Sequence, residues 1–231
     1  MIFDTIARSA SFDPKSIPGL ALWLDAADLG SISLNSGVVQ QWNDKSGNER
    51  HVSQSTAANR PGFTAGDGIT FTSSAHQLTN ATSNNVLANL TAFVAFRCTE
   101  TGSYATIAGN DTFVRFGGWT VLTVSTVTWG RYGCGKTAVA NRVFSAITQI
   151  KTTDRVFRVA ATDAEIRARV IGATTQNGTA TAMTTGSGST PAVGTFPRGN
   201  MVIREILVYS LGLSDINIQQ IETYLQSKWK Y

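Results

Sequence analysis

The stretch that decides the fold is MVIREILVYSLGLSDINIQQIETYLQSKW, residues 201–229. Its first part, Met201–Tyr209, is rich in β-branched and aliphatic residues and predicts a buried strand. Ser214 is a good N-cap, and Asp215 places a negative charge in the first turn of a following helix. An apolar stripe then recurs at spacings of three and four residues: Ile218, Ile221, Leu225 and Trp229. This periodicity predicts one helix of roughly fifteen residues that packs on a sheet.

Upstream of this stretch the sequence predicts strands and no second helix. Residues 20–24, LALWL, alternate leucine with other apolar residues, as in a strand with two apolar faces. Further β-branched or aromatic segments lie between Gly, Asn or Asp breaks, at residues 38–42, 68–71, 90–98, 104–108, 112–116, 119–129, 143–150, 156–161 and 165–171. Residues 173–194 are rich in Thr, Gly and Ser and predict a long exposed loop. The spacing predicts an all-β fold, a two-sheet antiparallel jelly-roll sandwich with one C-terminal α-helix.

Composition and charge narrow the class of protein. The chain has 231 residues, of which 42% are hydrophobic, so it can bury a large core and is globular rather than disordered. Charged residues make up only 15%, and the net charge is +4. Nucleic-acid-binding proteins gather Lys and Arg into runs or onto one helical face, whereas here they are scattered singly. We therefore expect no nucleic acid among the partners.

The first residues indicate a docking arm and a cytoplasmic origin. Residues 1–16 lack the cationic start and apolar run of a signal peptide, and no stretch approaches the roughly 20 apolar residues of a membrane span. We interpret Cys98 and Cys134 as two buried thiols rather than a disulfide bridge. The arm has apolar residues without sustained periodicity: Ile2, Phe3, Ile6 and Phe12. We predict that residues 1–16 dock onto another protein and that residues 17–231 form one domain.

Three segments together resemble a known family. They are IPGLALWLDAAD (17–28), VQQWNDKSGN with AANRP (39–48 and 57–61), and REILVYSLGLSD with YLQSKW (204–215 and 224–229). Their order and spacing resemble the concanavalin A-like, laminin-G-like jelly-roll domain, in the form common in bacteriophage structural proteins and bacterial surface proteins. In the family this helix often starts Ser-X-X-Glu, whereas here the fourth residue is Asn217. The family also often has a hairpin with a sequence like Tyr-Val-Asn-Gly before its last strands. This sequence contains no good match to that hairpin, which indicates that its middle strands and loops differ from those of the family.

The resemblance implies a function and a location. It implies a non-enzymatic virion protein, either a capsid decoration protein or a tail or fibre component, assembled in the host cytoplasm. Its partners would be other virion proteins and a host cell-surface glycan, and by analogy with the family it would form a homo-oligomer such as a trimer. The choice between an adhesion role and a purely structural decoration role stays open.

One stretch matches a nucleotide-binding pattern. Residues 130–137, GRYGCGKT, fit the phosphate-loop pattern G-x-x-x-x-G-K-T. A phosphate loop needs a strand before it, a helix after it and parallel strands around it. No strand–helix series surrounds this one, so we interpret it as a glycine-rich hairpin turn with a solvated Lys136.

Catalytic and metal-binding patterns are weak. Glycoside hydrolysis needs two carboxylates that face each other across a bond, and the nearest approach is Asp163 and Glu165. The alternative function, a glycan-cleaving enzyme on the same fold, therefore has little support, and we expect neither enzyme activity nor a cofactor. Asp25, Asp28 and Asp44 could contribute to a calcium site, but residues of this type more often cap turns. We expect no metal.

A carbohydrate site is the remaining possibility. Sugar recognition pairs an aromatic face with a few polar groups that orient the ring. One segment supplies both, with Asn110 and Arg115 nearby, and its residues are Trp119, Trp129, Arg131 and Tyr132. The competing interpretation is that one or both tryptophans lie in the core, as we expect of Trp23 and Trp42.

Overall fold

The computed structural model describes residues 12–73, 75–80, 87, 89–98, 110–116, 119–125, 131–136, 142–144, 154–161, 165–171, 176–179, 192–194 and 201–230. Within these residues the chain forms seventeen strands and one α-helix. The strands are β1 (Leu20–Asp25), β2 (Ile32–Asn35), β3 (Val38–Trp42), β4 (Val52–Ser53), β5 (Gly62–Thr64), β6 (Gly68–Phe71), β7 (Leu78–Thr79), β8 (Leu90–Cys98), β9 (Asn110–Phe116), β10 (Trp119–Ser125), β11 (Arg131–Lys136), β12 (Arg142–Phe144), β13 (Asp154–Ala161), β14 (Glu165–Val170), β15 (Gln176–Thr179), β16 (Ala192–Val193) and β17 (Met201–Tyr209). The helix is α1 (Asp215–Trp229).

Strand β17 is the centre of the first layer. All nine of its residues are buried, as its apolar sequence predicts. One edge pairs with β8, while the other edge pairs with β6 at its start and with β1 at its end. Beyond β8 the layer continues through β13 and β14 to β15, and every pairing is antiparallel. Residues from the two ends of the chain therefore lie side by side in this layer.

The second layer is reached through β6. Pairing runs from β6 through β5 to β3 and its neighbour β2, and from β3 through β4, β7 and β16 to β9. From β9 it continues through β10 and β11 to β12. The core lies between the layers, where Ile206 and Val208 of β17 share a cluster with Trp42 and Val193. Trp42 is fully buried, which confirms its predicted place in the core.

Helix α1 covers the outer face of the first layer. It starts at the predicted N-cap, where the Ser214 hydroxyl accepts a hydrogen bond from the Asn217 N–H at 3.4 Å. Its predicted apolar stripe is buried and packs on alternate residues of the sheet beneath, chiefly Trp23, Phe93 and Leu207. The predicted fold class, a two-sheet antiparallel jelly-roll sandwich with one C-terminal helix, is confirmed. Among the described residues, no helix has both the length and the apolar character that crossing a membrane requires.

The loop predicted over residues 173–194 is wrong in part. Residues 176–179 form β15, and residues 192–193 form β16, whose Val193 belongs to the core. Two-residue and edge strands need no alternating apolar pattern, so composition alone does not reveal them. The predicted strand at 104–108 lies outside the described residues.

The end of the predicted arm lies against the domain. The Phe12 ring is 5.4 Å from the Tyr224 ring, centroid to centroid. Pro14 is buried, and its carbonyl accepts a hydrogen bond from the Tyr209 hydroxyl at 3.1 Å. Residues 12–16 therefore contribute to the packing of the domain. Ile2, Phe3 and Ile6 lie outside the described residues, and the docking role of the arm stays a prediction.

Candidate functional site

The register of β9, β10 and β11 shows which of the residues predicted to bind carbohydrate lie next to one another in the sheet. At one end of these strands, Asn110 pairs with Ser125, which pairs with Arg131. Tyr132 follows on β11, opposite Val124. We call this end, defined by Asn110, Ser125, Arg131 and Tyr132, the β9–β11 end.

Trp119 lies at the opposite end of β10. It pairs with Phe116 on one side and with Lys136 on the other. Trp119 precedes Ser125 by six positions on β10, so at about 3.3 Å per residue it lies roughly 20 Å from the β9–β11 end. Trp129 lies outside the described residues, two positions before Arg131. The register thus groups Arg131 and Tyr132 with Asn110 and places Trp119 apart, and the binding role of all four residues stays a prediction.

The segment with the phosphate-loop pattern is a strand. Arg131–Lys136 pairs antiparallel with β10 on one edge and with β12 on the other. A phosphate loop instead turns into a helix whose N-terminal N–H groups bind the phosphates. The predicted hairpin turn is therefore wrong for residues 131–136, and the strand is equally incompatible with nucleotide binding. The glycines at 133 and 135 misled the prediction because glycine is rare in strand interiors.

The carboxylate of Asp44 organises a turn. Its two oxygens accept hydrogen bonds from the backbone N–H groups of Trp23 (2.9 Å), Ser46 (2.8 Å) and Arg50 (3.0 Å). The Asp28 carboxylate likewise accepts from Gly30 N–H at 3.1 Å. These contacts confirm the interpretation of the acidic residues as turn caps. Across the described residues, no three His, Cys, Asp or Glu side chains are grouped to hold a metal ion.

The two histidines also serve turns. The Nδ1 atom of His51 accepts a hydrogen bond from Asp44 N–H at 2.9 Å, and that of His76 accepts from Thr72 N–H at 3.2 Å. Burial lowers the pKa of His76, which favours the neutral ring that this contact requires. Of the predicted acidic pair, Asp163 lies outside the described residues, and Glu165 pairs with Thr179 in the sheet.

Glu205 is the most conspicuous polar residue that sequence reasoning missed. It lies in the middle of β17, is 0% exposed, and points toward α1. One carboxylate oxygen accepts hydrogen bonds from the Trp23 indole N–H and the Tyr224 hydroxyl, both at 2.8 Å. The other accepts from the Trp229 indole N–H at 2.8 Å and lies 2.8 Å from the Lys228 ammonium. Four donors thus surround one buried carboxylate.

An ion-pair chain extends from Glu205 to the surface. The Lys228 ammonium also contacts Asp25 at 2.7 Å, and Asp25 contacts the Lys45 ammonium at 2.9 Å. Lys45 in turn lies 2.8 Å from Asp28 and 4.3 Å from the centre of the Trp23 ring. We call the whole group the Glu205 cluster: Glu205, Asp25, Asp28, Lys45, Tyr224 and Lys228, with the indoles of Trp23 and Trp229.

The electrostatics of the Glu205 cluster follow from burial and pairing. Burial raises the pKa of Glu205, and the charge of Asp25 raises it further, while Lys228 and Trp229 lower it. The indoles and the ammonium can only donate, so they stabilise the carboxylate form. Burial and the Glu205 charge raise the pKa of Tyr224 well above its usual range, which keeps its hydroxyl protonated. At the exposed end, the hydrogen bond from Lys45 lowers the pKa of Asp28.

This arrangement joins elements and leaves Glu205 no access to a substrate. Its donors come from β1 and α1, so the carboxylate ties the first strand, the last strand and the helix together. One sequence signal could have revealed it. Glu205 alternates with Leu207 and Tyr209 on the face of β17 that the helix covers, and an acid there requires buried donors.

Comparison with known proteins gives a likeness of fold. No protein-family model matches the sequence, and no curated protein does. The binding domain of botulinum neurotoxin serotype D, solved in complex with N-acetylneuraminic acid, superposes with a TM-score of 0.62 at 13% identity over 88% of this chain. The sialidase of Trypanosoma rangeli superposes with a TM-score of 0.60 at 13% identity over 91% of this chain. The likeness is one of fold. The chain spans 51% of the toxin domain and 33% of the sialidase.

The first prediction concerns the Glu205 cluster. Glu205→Gln keeps the size of the side chain but replaces one acceptor oxygen by an NH2 group that faces two donors. We expect it to lower the free energy of unfolding by about 3 kcal/mol or more, as when one partner of a buried ion pair is lost. Denaturant unfolding measures the change, with the exposed Glu49→Gln as the control, expected within about 0.5 kcal/mol of the parent. Equal stabilities of the two variants would contradict this account.

Proposed function

We propose that this chain is a non-enzymatic carbohydrate-binding β-sandwich domain. The observation that carries the proposal is the superposition over 88% of the chain on a binding domain solved with N-acetylneuraminic acid. Folds host unrelated functions, so the proposal also needs a site with suitable residues.

The β9–β11 end supplies those residues. Asn110 and Arg131 lie in one cross-strand row, and Tyr132 is the next residue on β11. Neighbouring strand positions belong to opposite faces of a sheet, so a glycan that contacts both Arg131 and Tyr132 would have to bind across the end of the strand. An amide and a guanidinium can orient sugar hydroxyls, and a phenol ring can stack on the apolar face of a pyranose. Trp129 is two residues from Arg131 in sequence and belongs to the same proposed site.

The described carboxylates support a binding role over a hydrolytic one. A glycosidase needs two carboxyl groups that both reach the substrate, about 5–9.5 Å apart. Glu205 and Asp25 are buried acids at paired positions of β17 and β1, and their oxygens are already occupied by Lys228, the indoles and Lys45. They stabilise the fold, and neither can act on a sugar.

A glycan array tests the proposal. We expect the parent chain to bind a defined set of glycans and Tyr132→Ala to lose at least tenfold in affinity, since stacking and its hydrogen bond contribute about 1.5 kcal/mol or more. Arg131→Gln is expected to weaken binding similarly. Its matched control is Lys136→Gln, which removes the same charge at the other end of β11 and is expected to bind like the parent.

Two results would overturn this proposal. A blank array would remove carbohydrate binding and favour a purely structural role. Release of reducing sugar from a bound polysaccharide, abolished by Glu165→Gln, would make the protein a glycan-cleaving enzyme.

We further propose that the domain is displayed on a bacteriophage virion, as a capsid decoration or a tail or fibre component, with the N-terminal arm as its attachment. The resemblance of residues 17–61 and 201–229 to phage jelly-roll domains motivates this location. Because residues 12–16 pack on Tyr209 and Tyr224, the test deletes residues 1–11 only. We expect this deletion to abolish incorporation into virions while the thermal unfolding temperature stays unchanged. Unchanged incorporation would refute the role of the arm.

A further inference from the structure

The Lys228 ammonium is held between two buried carboxylates. Its nitrogen lies 2.7 Å from Oδ1 of Asp25, 2.8 Å from Oε2 of Glu205 and 2.9 Å from the Tyr224 hydroxyl. An ammonium has three N–H donors, and here each of them has its own acceptor. The side chains of the two acids are only 5% and 0% exposed. The nitrogen is therefore fixed beside a carboxyl group from which water is largely excluded.

The Asp25 carboxyl group is fixed through both of its oxygens. Oδ1 accepts a hydrogen bond from the Ala27 N–H at 3.0 Å as well as from Lys228. Oδ2 lies 2.9 Å from the Lys45 ammonium. A cation at this position stabilises the negative charge that gathers on the oxygen when a nucleophile adds to a carboxyl carbon. The group is thus placed to react with the amine beside it.

Glu205 is placed to take a proton from Lys228. A lysine side chain is a nucleophile only as the neutral amine, and an adjacent base in a desolvated site supplies that form. Burial raises the pKa of Glu205, so its carboxylate accepts a proton more readily than a glutamate in water. The indole N–H groups of Trp23 and Trp229 hold the carboxylate in position for the transfer.

We propose that Lys228 and Asp25 form an intramolecular amide bond that links α1 to β1. The Glu205 carboxylate takes one proton from the ammonium, and the free lone pair of Nζ attacks Cγ of Asp25 to form the C–N bond. Oδ1 then leaves as water with the proton from Glu205 and a second proton from Nζ, while Oδ2 stays as the amide carbonyl oxygen. An ammonium and a carboxylate become one amide and one water, so the step balances without any other reactant.

Burial and fixed geometry favour this condensation here. The neutral amide replaces two ions, which removes the cost of keeping both away from water. Well-oriented intramolecular reactants also reach effective concentrations of roughly 10⁵–10⁸ M. The contact between Lys45 and Asp28 lacks the first condition, because the Asp28 side chain is 40% exposed. The reaction is therefore specific to the pair formed by Lys228 and Asp25.

The bond would close a long loop of the chain. Asp25 and Lys228 are 203 positions apart in the sequence. A covalent link across so long a segment restricts the unfolded chain, as a disulfide bridge does, and thereby stabilises the folded state. It would also keep the first strand and the helix joined when the domain is heated. This inference is independent of the proposed carbohydrate binding.

Mass spectrometry of the purified, intact full chain tests the inference. We expect the parent chain to be lighter than its sequence mass by one water, about 18 Da, because amide formation releases one water. Digestion with trypsin is expected to give a branched peptide that joins the segment containing Asp25 to the segment containing Lys228. A parent chain with its full sequence mass would overturn the inference.

Two matched lysine variants are the controls. Lys228→Arg keeps the positive charge, but a guanidinium stays protonated and cannot attack, so we expect the full sequence mass. Lys45→Arg makes the same change at the other lysine that contacts Asp25 and is expected to lose one water like the parent. Loss of water from Lys228→Arg would place the reaction elsewhere in the chain and overturn the inference.

The role of Glu205 has its own test. Glu205→Gln cannot take the proton from Lys228, so we expect most molecules of this variant to keep the full sequence mass. Thermal unfolding verifies that the variant is folded. A crosslinked fraction equal to that of the parent would overturn the assignment of Glu205 as the base, and the lysine variants would still decide whether the bond forms.

Discussion

A buried carboxylate must find donors, and much of this structure satisfies that requirement for Glu205. An ionised group removed from water costs several kcal/mol unless charged and hydrogen-bonding partners replace the solvent. Here the partners are two indole N–H groups, a phenol and an ammonium, all within 2.8 Å. They come from β1 and α1, so the carboxylate can be satisfied only when both elements are in place. The N-terminal strand, the C-terminal strand and the helix are thereby bound to one another.

The Glu205 cluster lies under one flank of α1 and joins the helix to the first layer. Helix α1 has one flank with Lys228 and Tyr224, which belong to the Glu205 cluster, and another flank with Glu222, which lies 3.6 Å from Arg158 of β13. The β9–β11 end lies in the second layer, away from the helix. The Glu205 cluster therefore joins β1, β17 and α1, and the proposed carbohydrate site lies on other strands.

The sequence predicts the C-terminal helix and the core tryptophan, but it does not predict which residues the strand pairing brings together. The helix was predicted from its N-cap and apolar stripe because a period of 3.6 residues is a strong local signal. The core tryptophan at 42 was predicted from the family-like segment around it. Trp119 and Arg131 were grouped because they are near in sequence, but an antiparallel register places them at opposite ends of one hairpin. The pairing of Arg158 with Arg169 joins two consecutive strands, and no local pattern reveals which of their residues face each other.

The central claim is that Glu205 and Lys228 act as one unit that binds α1 to β17, and a double-mutant cycle tests it most directly. The cycle compares the free energies of unfolding of the parent, Glu205→Gln, Lys228→Met and the double variant. We expect a coupling energy of about 1.5 kcal/mol or more, with the double variant less destabilised than the sum of the single changes. Each substitution alone removes one charged partner of the other group, while Lys228 keeps its contact with Asp25 and Glu205 keeps its indole and phenol donors. Additive effects within about 0.5 kcal/mol would show that the two residues act independently and would contradict the account.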